Sequence, residues 1–418
     1  MSRSDPIGAA SRRAAMRLLD AVLRKGLPLE AALDTAARDL DRADDRAFAH
    51  AMAAETLRRL TDLDALIDGA TAKPLPDDAK ARLALRLALV QALAMGTPPH
   101  AAIATILPLL DGGPRRLVHG VFGSLMRRHA TLPDPPSLPA AVAARWESAW
   151  GAEVVAAACA AIAVPPPLDL AFPPASPPDL EGVSLMPGHL RVARGTAPAG
   201  LSGYDEGGWW VQDIAASIPA RLLGSGEGCA ALDLCAAPGG KTMQLAAAGF
   251  HVTALDASES RLARLAANLR RTGLAAEVVA GDVMKWSPAE PADAILLDAP
   301  CSATGIFRRH PDVLYRARSS VIGAMADAQQ AMLARAAGWL KPGGTLVYSV
   351  CSLEPEEGER AVAAFLSANP AYVVDPVRAD ELAPGMRPSA DGTLRILPGV
   401  LAKEGGADSF FIARFRRG

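Results

Sequence analysis

Short β-type runs alternate with helical segments from residue 206 to the C-terminus, and this alternation constrains the fold more than any other feature of the chain. Segments between the runs, such as ESRLARLAANLRRTG, have the apolar spacing of amphipathic helices. Such alternation is typical of a doubly wound, largely parallel sheet, in which ligands bind at the carboxyl ends of the strands. The strand candidates are AALDLC (230–235), HVTALD (251–256), EVVAGD (277–282), AILLDAP (294–300) and TLVYSVC (345–351), with LRILPG and SFFIARFRR as edge candidates.

The N-terminal third has a purely helical pattern. In SRRAAMRLLDAVLRKG the apolar residues share one helix face and Gly26 offers a stop, and similar segments follow with Gly and Pro between them. Two proline-rich stretches, 132–139 and 164–179, then interrupt the helices. We therefore expect a multidomain chain, with an all-α domain at 1–131, a small connecting α+β module at 138–205 and an α/β domain at 206–418.

Composition narrows the classes of protein. No run approaches 18 apolar residues and the N-terminus has no apolar signal segment, so neither a membrane protein nor a secreted one is expected. The five cysteines, an odd number without a paired framework, indicate a reducing cytoplasm, and because none forms a CxxC pair no zinc site is expected. A net charge of −2 provides no overall basic field, so contact with nucleic acid would come from local patches. The candidate patches are Arg12, Arg13, Arg17 and Arg24, and Arg127, Arg128 and His129.

Three consecutive strand candidates end in residues that suit an adenosine-containing cofactor. The first runs into the turn CAAPGGKT (235–242), whose small residues let a ligand approach the backbone near a helix N-terminus. Asp256 ends the second strand, 23 residues after Asp233, and can accept hydrogen bonds from both ribose hydroxyls. Asp282 ends the third, within reach of an adenine amine. Because the pattern has no Arg or Lys clamp for phosphate, the sulfonium cofactor S-adenosylmethionine fits best.

Cys301 and Cys351 each follow a strand candidate, so both thiols are expected at one edge of the sheet. A thiolate can add to C6 of a cytosine ring, which makes C5 nucleophilic enough to accept a methyl group. Asp298 is the candidate for the contact at N3, where it would need a proton and hence a raised pKa. These residues alone leave open which cysteine attacks. The remaining cysteines, Cys159, Cys229 and Cys235, are interpreted as packing or backbone-lining residues.

Several of these segments together resemble a known family. CAAPGGKT, DAPCSATGIFRRHPD and LVYSVCSLEPEEGE resemble the signature motifs of the Sun-type RNA cytosine-C5 methyltransferases, and WWVQD, ILPG and DSFFIARF add to the likeness. The match covers about 206–418. The helical N-terminal region is similar, more weakly, to the NusB RNA-binding fold, and the combination resembles the RsmB type of 16S ribosomal RNA methyltransferase.

The resemblance implies a Rossmann-like class I methyltransferase domain and a division of roles between the two thiols. It places the nucleophile at Cys351 and a helper that is required for product release at Cys301, with Asp298 beside them in the catalytic set. Lys241 is implied to touch the target base as well. The implied cofactor contacts are Cys235, Ala236, Ala237, Pro238, Gly239, Gly240, Lys241, Asp256, Asp282 and Asp298.

The implied partner is 16S ribosomal RNA, free or in an early assembly state, with a target cytosine that can leave its stack. The chain is expected to be a cytoplasmic monomer without membrane or metal. The segment RRHPD at 308–312 is a candidate for holding substrate phosphate, and Arg191 and Arg194 are candidate RNA contacts in the connecting module. Two alternatives stay open: methylation of another substrate, such as tRNA or a protein, and an RNA-binding assembly factor with a vestigial methyltransferase domain.

Overall fold

The computed structural model describes residues 8–195 and 197–418, and the chain divides into two compact units. The first unit contains the described residues up to Ser148 together with Val155–Val164 and Arg309–Arg316. The second contains Ala149–Val154, Pro165–Arg308 and Ala317–Gly418. The narrower limits expected from the sequence for three domains stay a prediction.

The first unit is built from helices, as the apolar spacing predicts. Its core is formed by leucines and alanines that recur along one face of each helix, and Leu18, Leu19 and Leu57 are fully buried in it. Two further helices, α8 (Ala140–Trp150) and α9 (Ala152–Ala163), contribute residues to both units. The helices before them are α1 (Ala9–Leu23), α2 (Leu29–Ala36), α3 (Ala43–Arg58), α4 (Leu60–Gly69), α5 (Lys80–Leu93), α6 (Pro99–Ile106) and α7 (Gly112–Arg127).

The second unit alternates strands and helices along the chain. Its first three strands are β1 (Leu168–Ala171), β2 (His189–Val192) and β3 (Trp210–Val211), followed by α10 (Ile214–Arg221). The main sheet and its helices then follow as β4 (Ala230–Leu234), α11 (Gly240–Ala247), β5 (His251–Asp256), α12 (Glu259–Thr272), β6 (Glu277–Ala280), β7 (Ala292–Asp298), α13 (Val313–Arg316), α14 (Ser319–Ala337), β8 (Leu340–Val350), α15 (Glu359–Ala368), β9 (Tyr372–Val374), β10 (Leu394–Ile396) and β11 (Phe410–Arg417). Of these, α13 belongs to the first unit.

The main sheet has the strand order β10-β11-β8-β7-β4-β5-β6, and β9 also pairs with β11. The pairs from β8 to β6 are parallel, whereas β11 runs antiparallel to β8, β9 and β10. Leu234, Leu297 and Val347 are fully buried, which explains why these strands are continuous apolar runs. The expected doubly wound α/β fold is confirmed. Both late segments form strands, but only β10 lies at the edge, because β11 pairs with β8 on one side and with β9 and β10 on the other.

The small antiparallel sheet of β2, β1 and β3 contains a buried ion pair. Arg191 donates through Nε and Nη2 to the two carboxylate oxygens of Asp169 at 2.7 and 2.8 Å. Burial works against ionisation of Asp169, but its hydrogen bonds with Arg191 and His189 hold the pKa of that carboxyl well below its usual range. The expectation that Arg191 contacts RNA is therefore wrong, since its guanidinium is buried in the sheet, whereas Arg194 is exposed.

The segment Arg309–Arg316 packs within the helical unit although it follows β7 in sequence. The hydroxyl of Tyr315 donates to the carbonyl oxygen of Leu57 at 2.8 Å, and the amide of Leu29 donates to Asp312 at 3.3 Å. Along the described residues, no helix combines the length and the apolar character that crossing a membrane requires.

Candidate active site

The register of the parallel strands gathers the residues expected at the site. In this register Leu234 at the end of β4 lies opposite Leu255 of β5 and Leu297 of β7. Asp298 lies opposite Ser349 of β8, two residues before Cys351. Because parallel strands end at the same edge of a sheet, the loops that follow β4, β5, β7 and β8 meet there.

The two thiols face each other at this edge. The Sγ atoms of Cys301 and Cys351 lie 3.4 Å apart, within hydrogen-bonding distance for sulfur, and both side chains are partly buried. The hydrogen bond with Cys351, together with burial, raises the pKa of the Cys301 thiol well above its usual range. Cys301 is therefore held as a thiol in the free protein, where a thiolate would be the reactive form.

Gly305 lets the loop after Cys301 pack closely against Cys351 and Ser409. Its amide donates to the carbonyl oxygen of Cys351 at 2.9 Å, and its own carbonyl accepts from the amide of Ser409 at 2.9 Å. A Cβ atom at this position would lie 2.0 Å from the carbonyl oxygen of Ser409. Any side chain here would force the loops apart, and the sequence analysis did not single out this glycine.

Asp298 lies between the thiols and the cofactor turn. Its Oδ2 is 2.7 Å from Nζ of Lys241, and its Oδ1 accepts a hydrogen bond from the Ser349 hydroxyl at 2.7 Å. The Lys241 ammonium also lies 5.5 Å from the centre of the Phe410 ring. In this arrangement Asp298 accepts and Lys241 donates, and the expectation that Asp298 itself carries a proton stays a prediction.

The turn after β4 has the shape expected of a ligand cradle. Cys235 and Gly239 both have positive φ, 64° and 105°, and Gly239 precedes the first turn of α11. A Cβ on Gly239 would lie 2.9 Å from Cγ of Leu265, so only glycine fits against α12. Burial, with the nearby Asp298, Asp256 and Asp233, raises the pKa of Cys235 to about 12, which makes this cysteine a lining residue rather than a reactive thiol.

Asp256 is buried at the end of β5, where the ribose of an adenosine would be recognised. Its carboxylate accepts hydrogen bonds from the amides of Ala237 at 3.1 Å and Ser258 at 2.9 Å, and from Arg261 at 2.7 Å. Since a carboxylate has about four acceptor positions, one is left for a ligand hydroxyl, rather than the two that both ribose hydroxyls would need. Asp282 is less buried and accepts from the amide of Met284 at 2.9 Å.

Asp233, at the base of the cradle, is fully buried and only one of its carboxylate oxygens has a partner. Oδ2 accepts a hydrogen bond from the Thr242 hydroxyl at 2.6 Å, whereas the buried Oδ1 has none. Burial is the main cause that raises the pKa of Asp233 to about 7. The small residues of the turn let a ligand approach the backbone, and Asp256 keeps an acceptor for a ligand hydroxyl, so the residues present fit an adenosine-containing cofactor.

Other expected site residues lie elsewhere or have other partners. Arg308 is buried and donates to the carbonyl oxygen of Gly405, so its guanidinium is a structural group rather than an exposed phosphate contact. Burial lowers the pKa of His310. Cys229, expected to pack, is exposed. Within residues 8–195 and 197–418, no group of three or more His, Cys, Asp or Glu side chains could hold a metal ion.

Two residues near the thiols were missed by the sequence analysis. Glu357 is fully buried and hydrogen-bonds the residues that follow both cysteines. Arg395 donates through Nη1 to the carbonyl oxygen of Ser352 at 2.5 Å, with its guanidinium near the rings of Trp150 and Phe411. The motif that contains Glu357 was visible in the sequence, but nothing in the motif itself indicated burial.

A doubly wound sheet with an antiparallel strand beside β8, and a ligand cradle at the ends of β4 and β5, defines a class I methyltransferase that uses S-adenosylmethionine. A family model for the 16S rRNA methyltransferase RsmB/F matches residues 220–416, and one for the NusB family matches residues 9–111. Ribosomal RNA small subunit methyltransferase B of Klebsiella pneumoniae subsp. pneumoniae is 33% identical over 441 residues, which cover 96% of this chain and 97% of the relative. The protein of the same name from Sodalis glossinidius is 34% identical over 89% of this chain and 92% of its own length. The chain therefore belongs to the RsmB/F family of 16S rRNA methyltransferases.

Solved structures agree on the fold. The crystal structure of PH0851 superposes with a TM-score of 0.76 at 22% identity and covers 100% of both chains. A methyltransferase homolog protein from Pyrococcus horikoshii superposes with a TM-score of 0.56 at 23% identity, covering 71% of this chain and 98% of its own. The expected family, enzyme class, NusB-type helical region and cofactor, S-adenosylmethionine, are confirmed.

Proposed function

We propose that the chain methylates C5 of a cytosine in 16S ribosomal RNA through a covalent adduct between Cys351 and C6 of the base. The observation that carries the proposal is the pair of thiols 3.4 Å apart at the carboxyl ends of two strands, beside the cofactor cradle. A pyrimidine ring placed there would meet one thiol at C6 and the second beside it.

Cys351 is proposed as the nucleophile. The thiol of Cys351 gives its proton to solvent, its Sγ then forms a bond to C6, and the electron pair of the C5–C6 double bond becomes available at C5. The resemblance of the VCS segment at 350–352 to the family's signature motif supports this assignment, since the contact between the thiols is the same for both cysteines.

Lys241 and Asp298 are proposed to act on the N3 side of the base. The addition at C6 increases electron density at N3, and a proton or hydrogen bond there stabilises the adduct. The 2.7 Å ion pair offers an ammonium donor that is already oriented by the carboxylate. Asp298 would orient Lys241 and take up a proton itself only when the base is bound.

When bound, S-adenosylmethionine supplies an electrophilic methyl group to C5 and leaves as S-adenosylhomocysteine. The residues proposed to hold it are Cys235 to Lys241 along the backbone of the turn, Asp256 at the ribose, Asp282 at the adenine and Asp298 at the methionine end. The single acceptor position left on Asp256 and the positive φ of Gly239 support this placement.

Cys301 is proposed to act in the release of the product. A base removes the C5 proton, the electron pair of that C–H bond restores the C5–C6 double bond, and the C6–Sγ bond breaks with its electrons returning to Cys351. The hydrogen bond with Cys351 is the largest cause of the raised pKa of Cys301. An adduct at Cys351 removes that thiol, so Cys301 ionises more readily after attack than before it, and can then take the proton.

The helical unit is proposed to bind the RNA. A cavity of about 600 Å³ in this unit is lined by six cationic side chains and two carboxylates. A surplus of positive charge of this kind binds phosphate and makes affinity depend on salt. Arg13, Arg17 and Arg24 lie there, whereas Arg12 is partly buried beside Phe48. The cationic lining is Arg13, Arg17, Arg24, Lys25, Arg38 and Lys80.

We further propose that the substrate is 16S rRNA that is free or at an early stage of assembly, since the target base must leave its stack. The chain is proposed to act as a cytoplasmic monomer with functional domains at 1–131, 138–205 and 206–418. The similarity of the chain to proteins named ribosomal RNA small subunit methyltransferase B supports the RNA class.

The test is a trapping experiment with a 16S rRNA transcript and S-adenosylmethionine. Cys301→Ala is expected to accumulate a protein–RNA adduct that survives a denaturing gel, whereas Cys351→Ala is expected to give no adduct and no methylation. Cys229→Ala is the matched control, because this thiol is exposed at the start of β4 and should leave both readouts unchanged. Normal turnover by Cys351→Ala would overturn the mechanism, and methylation of tRNA but not of 16S transcripts would overturn the substrate.

A further inference from the structure

Glu357 connects the two loops that carry the thiols. It lies between β8 and α15, and its side chain is fully buried. One carboxylate oxygen, Oε1, accepts the amide of Ser302 at 2.7 Å, and the other, Oε2, accepts the Ser302 hydroxyl at 2.5 Å and the Ser352 hydroxyl. Ser302 follows Cys301 and Ser352 follows Cys351, so one carboxylate holds the next residue after each cysteine.

A residue of α14 and a residue of β8 also hold Glu357. Gln329 of α14 donates through Nε2 to Oε1 of Glu357 at 3.1 Å and to the carbonyl oxygen of Pro300 at 2.9 Å. The hydroxyl of Tyr348 donates to the backbone carbonyl of Glu357 at 2.6 Å. The bond to Pro300 fixes the residue before Cys301, and the bond from Tyr348 links Glu357 to the strand that leads to Cys351.

We propose that Glu357 is a positioning residue for both cysteines, which sets the distance between the thiols by holding Ser302 and Ser352. The inference rests on the proposed division of roles between the cysteines. A buried carboxylate is costly unless donors satisfy it, and here four neutral donors do so. A purely structural loop anchor could be built from neutral groups, whereas a charge beside a thiol changes its protonation.

The charge acts on Cys301 in the expected direction. The negative charge of Glu357 is among the causes that raise the pKa of Cys301, after the hydrogen bond with Cys351 and burial. Cys351, Glu357 and Tyr348 are titratable groups that interact with Cys301. Once Cys351 is bound to the base, burial and the charge of Glu357 still disfavour the thiolate form of Cys301.

The test combines turnover with a measurement on the free protein. Glu357→Gln keeps the shape and removes the charge, and Glu357→Ala removes every hydrogen bond of the side chain. Methylation is expected to fall about 10-fold for the first and about 100-fold for the second, because small misplacements of reacting groups cost rates of this size. Glu356→Gln is the matched control, since this neighbouring carboxylate pairs with Arg360 at the surface.

The second readout is the rate at which iodoacetamide alkylates Cys301 as the pH is varied, followed by mass spectrometry of the peptide. For Glu357→Gln the profile should move to lower pH, a change that a merely structural role would not produce. An unchanged profile together with wild-type turnover would overturn the inference. If Glu357→Gln fails to fold, Ser352→Ala removes the hydroxyl that Ser352 donates to Glu357, together with its contacts to Ser302, Thr304 and the amide of Glu354. This variant is expected to slow methylation several-fold, and turnover at the wild-type rate would equally overturn the inference.

The two proposals can fail separately. Alkylation of the free thiol needs neither RNA nor cofactor, so the pH profile reports on Glu357 even if Cys301→Ala traps no adduct. Conversely, a trapped adduct with an unchanged alkylation profile and turnover in Glu357→Gln would leave the covalent mechanism standing and remove the positioning role.

Discussion

The Nζ atom of Lys241 lies 2.7 Å from Oδ2 of Asp298, although 57 residues separate them in sequence. Lys241 follows the cofactor turn after β4, and Asp298 ends β7, so the parallel pairing of these strands brings the two together. The Lys241 side chain is 11% exposed and that of Asp298 is 30% exposed, which leaves the pair accessible to a ligand. The ion pair thus lies between the cradle and the two thiols.

Replacing Lys241 by methionine should slow methyl transfer about 100-fold or more, because the ammonium donor at N3 is lost. The measurement is the initial rate of incorporation of tritiated methyl groups into a 16S rRNA transcript. Lys341→Met is the matched control, since Lys341 forms a more exposed pair with Asp293 on the same sheet at 2.8 Å. Equal rates for the two variants would contradict the role of Lys241.

Gly305→Ala should destabilise the protein by about 3 kcal/mol and abolish methylation, because its Cβ would lie 2.0 Å from the carbonyl oxygen of Ser409. Urea unfolding and the methylation rate are the two measurements. Gly323→Ala is the control, since Gly323 lies in α14 with open space around it and alanine favours helix by about 1 kcal/mol. Native stability of Gly305→Ala would mean that the loops can separate without cost.

Asp233 should make stability depend on pH in a defined direction. Burial raises the pKa of Asp233 from 3.8 to about 7 in the folded state. The stability that Asp233 contributes is therefore fully present below its unfolded-state pKa and is lost as the pH rises through about 7. Asp233→Asn removes this titration. Between pH 4 and 7 the free energy of unfolding of the wild type should fall relative to the variant by on the order of 4 kcal/mol.

Urea unfolding of both proteins at several pH values measures this difference. Parallel curves for the wild type and Asp233→Asn would show that the carboxyl titrates at the same pH in the folded and unfolded chains. The hydrogen bond from Thr242 can be kept by the Asn side-chain oxygen, so the comparison isolates the proton.

Much of the site could be predicted because its residues follow strands. Asp256 and Asp298 end their strands, and Cys301 and Cys351 follow strands within three residues. Parallel strands bring such positions to one edge. Individual partners could not be predicted in this way. Arg191 and Arg308 carry the charge expected of RNA contacts, yet both side chains are buried. Arg191 pairs with Asp169, and Arg308 donates to the carbonyl oxygen of Gly405.

The sequence by itself determined the alternation of strands and helices, the helical N-terminal region and the chemistry at the strand ends. These follow from apolar spacing and from residue types, which depend on neighbours only a few positions away. Only the tertiary structure decided the 3.4 Å between the thiols, the pairing of Lys241 with Asp298 and the burial of Glu357 between two loops. Those features depend on strand register and on which distant donor satisfies a buried polar group, and residues far apart in the chain set both.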